Sequence, residues 1–168
     1  MKPFLILALF FGMAFCAFGL GPQTQGSSHA QSGYDSKDIT VAVVVRPADE
    51  GRMWLRATYS YPLLFSERDY LLKLVRAADR KIDIAVSNKT TISYMQEVGR
   101  FSTDTAAVVT VSFQTRGFES SYAAVQFMSG GNNEILLLNK KDTQDFINVL
   151  GGAHSLVDDY QRQVALFK

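Results

Sequence analysis

Apolar residues recur along this chain mostly with a period of two, the mark of strands, and in two regions at helical spacing. Residues 39–46 (ITVAVVVR) are apolar on both alternating faces, which predicts a strand covered on both sides. A turn at 47–51 follows. Residues 52–61 (RMWLRATYSY) then put Met53, Leu55, Ala57, Tyr59 and Tyr61 on one face and Trp54, Arg56, Thr58 and Ser60 on the other. The two runs predict a hairpin, closed off by Pro62. Residues 67–80 carry Tyr70, Leu71, Leu74, Val75 and Ala78 at helical spacing. Arg76, Arg80 and Lys81 gather at the far end, where the helix dipole favours positive charge. Ser66 and Asp69 form a near capping box at its start.

Residues 82–87 (IDIAVS) alternate and predict a strand. Residues 90–99 (TTISYMQEVG) fit either a strand or a short helix stopped by Gly99. The strand is preferred, paired with 82–87 across Asn88-Lys89. Residues 106–114, 120–128 and 134–138 predict an antiparallel meander, with turns at Arg116-Gly117 and at the Gly/Asn-rich 129–133. Asn139 or Asp142 caps a last helical region with Phe146, Ile147 and Leu150 on its apolar face. Gly151-Gly152 breaks it, and helical spacing resumes over 155–167. Residues 65–69 (FSERD) and 138–142 (LNKKD) echo each other where a strand passes into a helix. Shared capping chemistry is preferred to a duplicated unit as the source of that echo. The whole pattern predicts an α+β fold. It has an antiparallel sheet of about five to seven strands, with helical regions near 67–80 and 141–167 packed on one face.

The first thirty residues follow another pattern. Lys2 is charged, residues 4–20 (FLILALFFGMAFCAFGL) are not, and Gly21-Pro22 leads into a small, polar stretch. That is the order of a secretory signal. Two cuts fit the small-x-small rule: after Ala30 (Ser28-His29-Ala30) and after Gly19 (Ala17-Phe18-Gly19). The first leaves a polar terminus and is preferred, giving a signal over 1–30, a flexible polar lead-in over 31–37 and one domain over 38–168. A retained anchor is the main competitor, since about 17 apolar residues is the lower edge of a bilayer-spanning helix. Cys16 is a lipidation candidate, but bulky Phe15 beside it is a poor processing neighbour.

A cut after Ala30 leaves about 138 residues, enough to bury a core without disulfides. This segment holds no cysteine, which excludes thiol nucleophiles and cysteine metal sites there. The chain has 17 Lys and Arg against 16 Asp and Glu. Only Lys2 among them precedes residue 31, so the domain is neutral, and a nucleic-acid partner is not expected. Of two histidines, His29 precedes the preferred cut and His154 remains, too few for a conventional zinc site. No metal or cofactor is expected. No Gly-x-Ser-x-Gly elbow accompanies His154. The pairs Asp49-Glu50 and Asp158-Asp159 fit solvated charge, and Asp142 and Asp145 fit a helix start better than a calcium loop. No catalytic residue is assigned.

Trp54, Tyr59, Tyr61, Phe65 and Tyr70 surround the second strand and the first helix, and core packing is the preferred account of them. Trp54 is the exception. It shares a face with Arg56 and Thr58, opposite Met53 and Leu55, and these three residues form the candidate binding surface. The expected function is an exported, non-enzymatic binding or accessory protein of the cell envelope, periplasmic or secreted, acting on a protein or envelope component. The alternatives are a small hydrolase using carboxylates or His154, and an anchored structural envelope protein. Membrane contact requires that the first segment be retained or that Cys16 be lipidated.

Overall fold

The computed structural model describes residues 23–33, 37–45 and 52–166. Along them run β1 (Gln23–Ser32), β2 (Asp38–Val45), β3 (Arg52–Arg56), β4 (Ser60–Leu64), α1 (Phe65–Ser87), β5 (Ser93–Ser102), β6 (Val108–Arg116), a 3₁₀ turn (Phe118–Ser120), β7 (Ser121–Ser129), β8 (Asn132–Leu138), α2 (Lys140–Gly151) and α3 (Ala153–Ala165). The fold is α+β, with a single antiparallel sheet in the order β4-β3-β2-β1-β8-β7-β6-β5. Among the described residues it has eight strands, slightly more than the sequence pattern predicts.

The order describes two ββββα units side by side. Every neighbouring pair is antiparallel, so strands four places apart run the same way: β1 with β5, β2 with β6, β3 with β7, β4 with β8. The two echoing segments each sit at the passage from fourth strand to helix. Their caps differ, however. Asn139 accepts the Asp142 N–H at 3.0 Å, whereas at α1 the cap is Leu64, whose N–H donates to Glu67 Oε2 at 2.7 Å. The capping box predicted at Ser66 and Asp69 is not formed; only its reach-back half is present, made by Glu67 to the Leu64 N–H, since a leucine side chain cannot accept the reciprocal bond. The repeat is one of topology rather than of capping residues.

Several boundaries move. Residues 52–61 are two strands, because the chain turns at 57–59, where the Ala57 N–H donates to Tyr59 O at 2.8 Å. Pro62 lies inside β4, which is a sheet edge and can lack a ladder donor. Residues 82–87 are the last turns of α1, not a strand. Ile82 and Ala85 are buried while Ile84 and Val86 are exposed, the helical period. Helix α1 stops at Asn88, whose side chain donates to Ile84 O at 2.8 Å, and Lys89 adopts a left-handed φ of 46°. The strand expected within 90–99 is β5, but it pairs with β6. β1 occupies residues that the sequence pattern places in the export segment and the lead-in. It lies in the middle of the sheet, between β2 and β8.

The sheet folds back on itself. The β1–β8 ladder at its centre has only the pairs Gln31↔Leu137 and Ser32↔Leu136, so the two halves can turn about it. β4 and β7 are five places apart, roughly 24 Å in a flat sheet. Yet Tyr61 of β4 and Phe127 of β7 stack at 4.3 Å between ring centroids. The inner face buries Val41, Val43, Met53, Leu55, Leu63, Val109, Val111, Val125, Leu136 and Leu138 with Leu71, Val75, Phe146 and Leu150 of the helices. Lys140 joins the two helices by bonding Asp79 at 2.9 Å and Asp83 at 2.7 Å. Desolvation opposes its charge, but these two carboxylates more than offset it and raise its pKa.

Candidate functional site

The surface expected at Trp54, Arg56 and Thr58 is divided. Trp54 and Arg56 are half-buried on the outer face of β3, with Val44 and Pro62 across from Trp54 and Ala42 and Ser60 across from Arg56. Thr58 lies beyond the strand, and its N–H donates to Glu134 Oε1 at 2.9 Å. The surrounding aromatics go separate ways. Tyr61 is core, Phe65 stacks on His154 at 4.4 Å, and Tyr70 meets Phe101 edge-on at 5.4 Å. The hydrolase candidates do not converge either. Asp142 sits in the first turn of α2, whereas His154 is at the start of α3, beyond the far end of α2, which lies about 14 Å from Asp142 along the helix at 1.5 Å per residue. Asp142 has its pKa raised, by desolvation against the backbone and His29. Asp49, Glu50 and Cys16 lie outside the described residues. Among the described residues no group of three His, Cys, Asp or Glu could hold a metal, and no helix is long and apolar enough to cross a membrane.

Another region gathers the exposed apolar surface. The last turns of α1, the loop after it and the start of β5 expose Ile84 (61%), Ile92 (62%), Tyr94 (48%) and Met95 (70%). A cavity of about 230 Å³ opens at Ile84, Ile92 and Tyr94, lined also by Lys81 and Ala85 of α1, by Thr90 and Gln96, and by Phe113 and Thr115 of β6. Its shape follows from how β5 meets α1. Gly99 lies so close to the helix that a Cβ there would stand 2.8 Å from Leu74 Cδ2. A bulge between Glu97 and Gly99 then shifts the register of β5. Toward its start the strand leaves the helix, and only the Lys81 Nζ to Gln96 Oε1 bond, at 2.9 Å, spans the groove.

The floor of the region is fixed by a hydrogen-bond web at the end of β6. Ser121 Oγ donates to Thr115 Oγ1 at 2.9 Å, Thr115 Oγ1 donates to Gly117 O at 2.8 Å, and the Phe118 N–H donates to Thr90 O at 2.6 Å. Gly117 has a φ of 109°, which a side chain would strain. Beside this web stands Arg116, which lines three further hollows. One, of about 320 Å³, includes Gln31, Gln114, Ser120 and Tyr122. Another, of about 310 Å³, includes Ser93, Tyr94 and Met95. The third, of about 260 Å³, includes Thr90, Thr91 and Glu119. Arg116 is exposed and makes no hydrogen bond or ion pair among the described residues.

Sequence reasoning missed this region because IDIAVS satisfies a strand pattern. The available signal was that a helix through 82–87 leaves Ile84 and Val86 unburied. Comparison with protein-family models, curated proteins and solved structures finds no match for the chain.

Proposed function

We propose that the protein is an exported, non-enzymatic binding or accessory module of the cell envelope. Its contact surface is the end of the sheet where α1 closes and β5 begins. One observation carries this: Ile84, Ile92 and Tyr94 stand exposed together around a lined cavity, with exposed Met95 next to Tyr94 on the same strand. Single exposed apolar residues need no explanation, but a contiguous group around a concavity marks an interaction site. The charged, apolar and small-residue order at the start of the chain supports export.

The reading is tested by placing a photo-crosslinking residue at position 92 and irradiating cells of the native host. A discrete adduct is expected, lost in the Ile84→Asp variant and retained in Trp54→Ala and Arg56→Ala. No adduct, or one insensitive to Ile84→Asp, rejects this surface. An adduct lost only with Trp54→Ala returns the site to β3.

A further inference from the structure

We propose that β5 receives the C-terminal tail of a partner protein as an added antiparallel strand, anchored by an apolar side chain in the α1–β5 groove. The tail's terminal carboxylate lies at Arg116. The inference rests on the binding-module reading and names its ligand.

The two sheet edges are treated differently. β4 has five residues, includes Pro62, and follows a turn whose Thr58 and Tyr59 N–H groups are held by Glu134. Those are the usual ways of blunting an edge. β5 has ten residues and pairs with β6 alone among the described residues. Its guards, the bulge and the Glu97–Arg100 ion pair at 3.2 Å, lie from Glu97 onward. The first half, Ser93 to Glu97, is exposed at every position. It offers unpaired backbone groups next to an apolar groove, the combination that strand addition uses: main-chain bonds for affinity, a pocket for an alternate side chain.

Size selects the occupant of the groove. At about 230 Å³ the cavity exceeds the roughly 150 Å³ that admits a benzene ring, yet falls below the roughly 300 Å³ at which small-molecule sites begin. It suits one large side chain delivered by a chain already held along β5. Polarity selects the end. A strand added antiparallel to β5 runs with its C-terminus toward Ser93, whose partner on β6 is Arg116. Lys81 and Arg116 are the charged residues lining the groove and the two hollows on the Gln114 side of Arg116; the carboxylate of Glu119 lines the third hollow, beside Thr90 and Thr91. A terminal carboxylate complements that charge.

The full-length chain is tested for binding to a library of short synthetic peptides with free carboxyl termini, randomised in their last residues. Each peptide has an amidated twin and a twin N-methylated at alternate positions. Enrichment of one apolar anchor at a fixed distance from the terminus is expected. Amidation should weaken binding about tenfold, the worth of a charge-assisted hydrogen bond. N-methylation should abolish it on one alternate set of positions only. Arg116→Gln should erase the difference between acid and amide, and Ile84→Asp should remove binding, with circular dichroism unchanged in both. No enrichment, equal binding of acid and amide, or indifference to N-methylation overturns strand addition. If the position-92 adduct forms while the peptides fail, the binding module stands and this ligand falls. Tail peptides of this same chain prevailing over all others would make the partner a second copy.

Discussion

Glu134 is a residue on which three long-range hydrogen bonds converge. It is the third residue of β8, is buried, and accepts from the Thr58 N–H at 2.9 Å, the Tyr59 N–H at 3.3 Å and the Tyr61 hydroxyl at 2.9 Å. It thus pins the β3–β4 turn of one half-sheet to the other. Removing the carboxylate by Glu134→Ala leaves these donors without their acceptor and should cost about 3 kcal/mol, since bonds to charged groups are worth about 1.5–3 kcal/mol each and are not additive. Urea unfolding checks this, and a loss under about 1 kcal/mol would show the cradle to be incidental. The phenol of Tyr61 reports the same contact. Burial first, and the Glu134 bond second, hold its pKa well above the ordinary value. In the unfolded chain a tyrosine loses its proton near pH 10, while the folded protein keeps it. Above that pH the folded state binds more protons, so stability falls, by at most about 1.4 kcal/mol per pH unit. Tyr61→Phe should flatten that alkaline decline, and an unchanged slope would place its origin elsewhere.

The elements show what pattern can and cannot convey. Alternation identified β3 and β6, where Met53 and Leu55 oppose Arg52 and Arg56, and Val109, Val111 and Phe113 oppose Thr110, Ser112 and Gln114, whereas β2, β7 and β8 were legible as short, largely apolar runs between turns. It failed at 82–87, where Ile82, Ile84 and Val86 alternate with Asp83 and Ala85 although the backbone is helical. Stability measurements separate the two accounts. A strand would put Ile82 and Ile84 on one face with similar burial, whereas in α1 Ile82 is 1% exposed and Ile84 lies in the open. Ile82→Ala should therefore cost about 2–4 kcal/mol and Ile84→Ala less than about 0.5 kcal/mol. Equal losses would favour the strand. The candidate site shares this fate. Its groove exists only when 82–87 is helical, so no residue of it stood out beforehand. β1 was illegible for a different reason. Its sequence, QTQGSSHAQS, carries no large apolar residue. The inner positions Gly26, Ser28 and Ala30 are small because α2 packs closely there, and a Cβ at Gly26 would stand 3.3 Å from Val149 Cγ2. Close helix packing erased the hydrophobic signal that marks the other strands.

At the scale of the molecule, β1 is the seam between the two ββββα units, and this bears on where an export signal can end. β1 joins β2 through a ladder running from Gln23↔Val45 to Gln31↔Asp38, and it holds β8 through Gln31 and Ser32. A cut after Ala30 would take Gln23 to Ala30, leaving β2 and β8 as two new open edges inside the sheet. It would also uncover Val41 and Val43, which are fully buried. Unpaired interior edges invite aggregation, and the lost core contacts alone amount to several kcal/mol against a total stability of about 5–15 kcal/mol. A cut after Gly19 fits the same small-x-small rule and leaves β1 whole. If the signal proposed above is removed, the protein from its native host should therefore begin at Leu20, and intact-mass measurement reads this directly. A mass beginning at Gln31 would require the sheet to hold without its central strand. It would remove the topological repeat as well, since the first unit would keep three strands against the second unit's four.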